Sequence, residues 1–313
     1  MRWDHRPIQG EADLAPIVAL RQEIERAEPT GFPISPERLG ASYLLPRPGW
    51  WSDFSLWERA GVLRGIGEVR IAELEGGDRV AYIRLRVHAN DAETSLPDQI
   101  LVNCEDVASG YFVTDFQVEV SAQQSHRTRI DLLERHGYSI DRVFNMMHRL
   151  LAEPISPAEM PASYQPRPLQ GVSEVDAWLA LYANAFQDHY DFHPIAYDER
   201  IQRMGESTYL PEFDLVVTAP DGQLAAFCFC DRRVDSAGLV DWHVDLIGTH
   251  RDHRGRGLAK VLLLTTMTMV RDSGGNEVKL DVDATSSTCA NRLYEGLGFT
   301  TVNTSIDYRK TFE

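Results

Sequence analysis

His250-Arg251-Asp252-His253-Arg254-Gly255-Arg256-Gly257-Leu258-Ala259-Lys260 stands between two patterned stretches of the chain. Before it, Leu239 to Gly248 alternates as a strand does. After it, Leu258 to Arg271 has the period of a helix and stops at Ser273-Gly274-Gly275, a suitable C-terminal end. The two glycines remove side chains from the turn between strand and helix. A helix N-terminus offers N–H groups and the positive end of a dipole, and glycine lets a backbone approach a phosphate closely. Arg254 and Arg256 add charge to the same turn. The spacing lacks the third glycine of a dinucleotide fingerprint and the Gly-Lys-Ser/Thr of a P-loop. Two glycines one residue apart also suit a plain tight turn, so the surroundings decide.

Working outward, the spacing predicts strands over Tyr164 to Leu169, Phe213 to Thr218, Leu224 to Asp231 and Glu277 to Val282, with a further helix over Asp176 to His189. Ala219-Pro220-Asp221-Gly222 reads as a hairpin turn. The pattern is α/β or α+β. On the strand before the glycine turn, Asp241, His243 and Asp245 fall on one face and Trp242, Val244 and Leu246 on the other. Burying unpaired charges costs several kcal/mol each, so that face meets solvent or lines a cleft.

The chain also repeats itself. Arg6-Pro7-Ile8-Gln9-Gly10 returns as Arg167-Pro168-Leu169-Gln170-Gly171, and Leu132 to Tyr138 returns as Leu293 to Phe299, both 161 residues on. Phe116 to Val120 matches Val278 to Val282 with one more residue of offset. Pro154, Pro157 and Pro161 mark an extended linker. The expected domains are 1–153 and 163–313, joined by a Pro-rich linker at 154–162.

Arg254 to Ala259 resembles the acetyl-CoA pyrophosphate loop, Arg/Gln-x-x-Gly-x-Gly/Ala, of the GNAT superfamily of N-acetyltransferases. Asn291-Arg292-Leu293-Tyr294-Glu295-Gly296-Leu297-Gly298-Phe299 resembles that superfamily's second motif. The resemblance implies two tandem GNAT-like domains, each a mixed, mostly antiparallel sheet flanked by helices. Within the superfamily the tandem length is most similar to mycothiol synthase-like proteins. It further implies acetyl-CoA or another acyl-CoA as cosubstrate, held by Ile247, Gly248, Thr249, Arg254, Gly255, Arg256, Gly257, Leu258 and Ala259, with Tyr294 as acid toward the leaving thiolate. The base is left between His243, whose ordinary pKa suits the task, and Asp245. In mycothiol synthases the base position is acidic and falls on His243, a departure that leaves base and substrate open. The asparagine usual early in the second motif is also missing, with Thr285, Ser286 and Ser287 in that stretch. Asp188, His189, Asp191 and His193 fall where the superfamily lines its acceptor pocket; their spacing does not make a metal site, and none is expected.

Read through the repeat, Ala92 to Pro97 stand where Arg254 to Ala259 stand, so the first half lacks both glycines and both arginines, and Leu133 replaces Tyr294. The first half is therefore expected to be a degenerate copy.

With 31 Lys+Arg against 47 Asp+Glu the net charge is −16 at pH 7, which argues against nucleic acid or an anionic membrane as the main partner. Four scattered cysteines make no disulfide framework, and no apolar run suits a signal peptide or a bilayer span, so the expected setting is cytoplasmic. The expected partner is a small-molecule primary amine, to which a GNAT-type enzyme acting as monomer or homodimer would transfer an acyl group. A non-catalytic acyl-CoA sensor and a protein or peptide N-acetyltransferase are the competing readings.

Overall fold

A computed structural model describes residues 3–27, 36–44, 51–73, 79–112, 115–187, 192–206, 208–234, 238–285 and 290–313. In chain order the elements are β1 (Asp4–Pro7), α1 (Leu14–Ala27), α2 (Pro36–Leu44), β2 (Trp51–Arg59), β3 (Val62–Glu73), β4 (Arg79–Val87), α3 (Leu96–Tyr111), β5 (Phe116–Gln123), α4 (Arg127–Arg135) and β6 (Ser139–Leu150). They are followed by β7 (Gln165–Pro168), α5 (Val175–Phe186), α6 (Tyr197–Met204), β8 (Asp214–Thr218), β9 (Leu224–Val234), β10 (Val240–Thr249), α7 (Leu258–Asp272), β11 (Glu277–Asp283), α8 (Ala290–Gly296) and β12 (Thr300–Phe312). The expected strands and helices of the second half all form, with ends moved by a few residues. The Ala219 to Gly222 turn closes through Gly222 N–H donating to Ala219 C=O at 3.0 Å.

The chain divides into two units. Unit 1 includes Met1–Phe144 and Asn303–Glu313; unit 2 includes Asn145–Val234 and Gly238–Val302. The sheet of unit 1 runs β1-β2-β3-β4-β5-β12, with β4 parallel to β5 and the β1–β2, β2–β3, β3–β4 and β5–β12 pairs antiparallel. That of unit 2 runs β7-β8-β9-β10-β11 and ends on the Asn145–Leu150 part of β6, with β10 parallel to β11. Both are mixed and mostly antiparallel. β6 and β12 are the closing strands of the two repeats, and the second half of β6 belongs to unit 2 while Asn303–Phe312 belongs to unit 1.

In unit 2, α7 lays Leu258, Leu262, Leu263 and Met267 against Cys228, Cys230, Trp242 and Val244 of the sheet. The opposite face is covered by Trp178 and Leu181 of α5 over Phe227. Unit 1 repeats the arrangement, with α3 on one face and Ile17 and Leu20 of α1 beside Ile66 on the other.

The repeat is visible in individual hydrogen bonds. Arg6 grips Asp13, whose carboxylate also accepts from Gln9 N–H, and Arg167 grips Glu174, which accepts from Gln170 N–H. His88 and His250 each begin a short 3-10 turn and accept, through Nδ1, from the N–H two residues on. The first set is related by 161 residues and the second by 162. Cross-strand registers locate the added residue. Ile83 faces Val69 and Arg84 faces Glu68 in unit 1, whereas Val244 faces Cys230 and Leu246 faces Phe229 in unit 2. Asp245 is the insertion, a β-bulge that unit 1 does not have.

Candidate active site

The bulge changes the face on which β10 presents its side chains. Up to Val244 the alternation is as expected, with Trp242 and Val244 packed toward α7. Beyond Asp245 the period slips, and Leu246 packs instead with Trp178 and Phe227 on the α5 side, while Ile247 joins the α7 side. This corrects the strictly alternating reading, which placed Leu246 with Trp242 and Val244: one inserted residue moves every later side chain to the other face.

The bulge also lies where two strands part. β10 and β11 are in parallel register at His243 with Lys279 and Val244 with Leu280; β10 continues to Thr249 and β11 to Asp283 with no further register pair among the described residues. On its other edge β10 stays bonded to β9, with Leu246, Ile247, Gly248 and Thr249 facing Phe229, Cys228, Phe227 and Ala226. The Ile247 to Thr249 backbone therefore keeps one edge for another partner. Gly248 has a packing reason as well, since a Cβ there would lie 2.7 Å from the Phe227 ring.

The strand then enters the glycine turn. Gly255 has φ +74 and Gly257 φ +78, conformations that strain any residue with a Cβ. Both are exposed and a Cβ on either would meet open space, so backbone conformation and not crowding calls for glycine. Gly257 caps α7 with no side-chain hydrogen bond, which leaves the first N–H groups of a 15-residue helix facing outward. Arg254 donates to Thr249 C=O and Ala185 C=O, and Arg256 to the Tyr164 hydroxyl at 2.6 Å, which also meets His253 Nδ1 at 2.9 Å. Asn184 of α5 accepts from Arg251 N–H at 2.9 Å. Arg254, Gly255, Arg256, Gly257, Leu258 and Ala259 thus form a built cradle beside the open edge of Ile247, Gly248 and Thr249. Helix-terminal N–H groups beside glycine backbone can receive an anion. In unit 1 the matching turn differs: Ser95 has φ −76, and the Leu96 N–H already donates to Thr94 Oγ1 at 3.2 Å.

Asp241, His243 and Asp245 belong to a larger charged face. Asp241 pairs with Lys279 at 2.7 Å, and His243 Nε2 lies 3.2 Å from Asp281 Oδ2. Asp245 is held by Arg203 of α6 at 3.1 Å and by Arg233, and the same two arginines hold Asp231 at 2.9 and 3.1 Å. Burial opposes the charge on both guanidiniums, yet the facing Asp231 and Asp245 carboxylates raise their pKa values above the ordinary arginine range. Counted together, Asp231, Asp241, Asp245, Asp281, Glu206 and Glu277 exceed Arg203, Arg233 and Lys279. Asp231, Asp241 and His243 are buried in this network, whereas Asp245, Asp281, Glu206 and Glu277 reach solvent, and the negative excess attracts cations.

Tyr294 is buried at the end of α8 beside Phe299. Burial, with the nearby Cys228 thiol adding, pushes its phenol up to about 12. Cys228 faces Ile247 across β9 and β10, so the phenol belongs to the region where β10 and β11 part. Of the residues expected at the acceptor pocket, His193 is half-buried and its C=O accepts from Tyr182 Oη at 3.3 Å. Asp188, His189 and Asp191 lie outside the described residues, as do Ser286 and Ser287. Among the described residues no group of three metal-ligating side chains converges, and no helix is long and apolar enough to cross a membrane. Sequence reading missed Arg203, Arg233, Asp281, Asn184 and Tyr164. None stands in a recognisable local motif; the register of β9 through β11 brings Arg233 and Asp281 to one face, and the packing of α6 adds Arg203.

Residues 175–299 match the model of the Acetyltransferase (GNAT) family. A mycothiol acetyltransferase of Nocardiopsis dassonvillei is 35% identical over 50% of this chain and 49% of its own, and one of Thermobispora bispora is 31% identical over 56% and 59%. The chain spans about half the length of these curated relatives. Among solved structures, a GCN5-related N-acetyltransferase from Sphaerobacter thermophilus aligns with TM-score 0.76 at 22% identity, covering 99% of this chain and 95% of that one. A tandem GNAT protein from the clavulanic acid biosynthesis pathway aligns with TM-score 0.78 at 14% identity, covering 99% and 98%. The second repeat carries a GNAT acetyltransferase domain, and the whole chain has the fold of tandem GNAT proteins.

Proposed function

We propose that the chain is an N-acyltransferase that moves an acetyl or related acyl group from acyl-CoA to the primary amine of a small molecule by direct attack in a ternary complex. The observation that carries this reading is the succession of a bulged, edge-open strand, two positive-φ glycines and an uncapped helix N-terminus in the second repeat. The backbone from Gly255 to Ala259 and the arginines flanking it would hold the diphosphate, and the open edge of Ile247 to Thr249 would hold the pantetheine amides.

The acceptor amine arrives as a cation, and the carboxylate excess around β10 and β11 favours it. His243 takes the ammonium proton, and the imidazolium so formed is stabilised by Asp281. Asp245 is the second candidate, but both its oxygens are engaged by arginines. The amine nitrogen then bonds to the acyl carbon, the C–S bond breaks as Tyr294 gives a proton to the departing thiolate, and the second proton that the new amide nitrogen sheds restores the phenol. A phenol held near 12 keeps that proton through the neutral range. A mycothiol-related amine is the first acceptor to try, since the relatives matched over this repeat carry that name.

Calorimetric titration with acetyl-CoA and desulfo-CoA tests the binding, with one equivalent per chain expected. Thiol release measured with and without a panel of amines tests the chemistry. Binding without amine-stimulated release would replace the enzyme by a sensor; stimulation by peptides alone would replace the small-molecule acceptor.

A further inference from the structure

The α1 and α2 side of unit 1 holds positive charge that the fold does not need. Glu68, Arg84 and Arg86 are, by cross-strand register, the counterparts of Phe229, Leu246 and Gly248 in unit 2. There the three matching strand positions carry no charge, and the Phe227 ring lies against Gly248 where unit 1 has Ile66. Unit 1 has two guanidiniums instead, joined by Arg21 from α1 and Arg70 from β3. Glu68 is the one carboxylate facing them among the described residues, and it is already engaged by Arg70 and, at 3.8 Å, by Arg84.

Arg86 Nε is buried with no hydrogen-bond partner, and so is the hydroxyl of Tyr43 from α2, whose side chain is 6% exposed. Tyr43 packs in one cluster with Ile66, the residue that faces Arg86 across β3 and β4. Burial first, then the like charges of Arg21 and Arg84, push Arg86 down to about 9, against the opposing influence of Tyr43 and Glu68. No carboxylate among the described residues forms an ion pair with Arg86. A buried guanidinium Nε with no acceptor, beside an unsatisfied buried hydroxyl, costs free energy unless something supplies acceptor oxygens. Arg84, with more than half of its side chain exposed, marks the approach from solvent.

We propose that unit 1 contains an oxyanion-binding site in which Arg86 and Tyr43 donate to a carboxylate or phosphate group of a small molecule, with Arg21 and Arg84 supplying charge. The planar fork of arginine suits both groups, so the headgroup is left to the test. The site is separate from the acyl-CoA cradle and does not depend on it.

The test is calorimetric titration of the full chain carrying Gly257→Glu, which closes the diphosphate cradle to anions, with inorganic phosphate and with acetate at constant ionic strength. One equivalent is expected to bind, at least tenfold more weakly when Arg86→Met is added and a few-fold more weakly when Tyr43→Phe is added. Whichever anion binds more tightly identifies the headgroup. Arg86→Met also removes a buried charge, so without anion its melting temperature should equal or exceed that of the parent. No saturable binding of either anion, or equal binding by Arg86→Met, overturns the proposal. Should Arg86→Met fail to fold, Tyr43→Phe and Arg86→Lys decide in its place, and parental affinity in both would refute the assignment.

Discussion

Asp245 Oδ2 accepts from Arg203 Nη2 at 3.1 Å, which ties the inserted residue of β10 to the last turn of α6. The same guanidinium reaches Asp231, whose side chain has no exposed surface, and lies 5.2 Å from the centre of the Phe229 ring. A bulge leaves its extra residue without a ladder partner, so its side-chain anchor sets where the following strand edge points. Removing one partner of a buried pair costs ~3–5 kcal/mol, and because Arg233 still reaches both carboxylates the loss in Arg203→Met should be about 2 kcal/mol. Urea unfolding measures it. Turnover should fall about tenfold with acyl-CoA affinity unchanged, and Arg203→Lys should recover part of both; a fall in affinity alone would place Arg203 with the cofactor.

Gly257 separates conformation from space. A Cβ there meets nothing, yet φ is +78, so Gly257→Ala should cost about 1–2 kcal/mol through backbone strain and weaken acyl-CoA binding only modestly. Gly257→Glu adds bulk and a negative charge where a diphosphate would lie and should abolish binding while the chain stays folded. Calorimetry on both variants, with circular dichroism as the folding check, decides. Retained affinity in Gly257→Glu would move the cofactor elsewhere.

The glycine turn, the strands around it and the repeat were legible because each rests on local chemistry. Glycines at Gly255 and Gly257, the hairpin at Ala219 to Gly222 and the alternation of β10 as far as Val244 are all properties of a few adjacent residues. The bulge was written only as a change of offset, 161 at Glu174 and 162 at His250, whose position between them a single sequence does not fix. Register supplied the position, Asp245. Arg203 and Arg233 were illegible for a related reason: a surface helix and a strand end each carry an ordinary arginine, and only folding sets both against Asp231 and Asp245. The exchange of closing strands left no trace either, since β6 and β12 have the same pattern whichever sheet they join.

The paired clasps Arg6 with Asp13 and Arg167 with Glu174 make stability depend on acid. In each, the arginine hydrogen bond is the main influence holding the carboxyl below its ordinary value, against some desolvation. A depressed carboxyl contributes stability above the unfolded value, near 4, and loses it as pH falls through the lower folded value. Both pairs are partly exposed, so each contribution is about 1 kcal/mol. Thermal melts from pH 7 to pH 3 should show a shallower acid loss in Arg167→Met than in the parent, with the variant already less stable at pH 7. An unchanged acid slope would assign the clasp no energetic role.

Tyr294 gives the sharpest division between catalysis and packing. Its ring is buried in the core beside Phe299, and Tyr294→Phe keeps that ring while removing the hydroxyl. If the phenol protonates the departing thiolate, turnover should drop about 10²-fold or more with the KM for acyl-CoA nearly unchanged, since general acids contribute on that scale. Because burial raises the phenol to about 12, its ionisation should add no inflection to the rate profile between pH 8 and pH 11. The same shift acts on stability. The protonated form is favoured in the folded chain, so the contribution is complete below the ordinary tyrosine value of 10 and is lost as pH rises toward 12. Tyr294→Phe should therefore lose less stability than the parent between pH 9 and pH 11, whatever its activity. Normal turnover together with that altered alkaline stability would leave Tyr294 a core aromatic and send the search for the acid to a water on the open edge of β10.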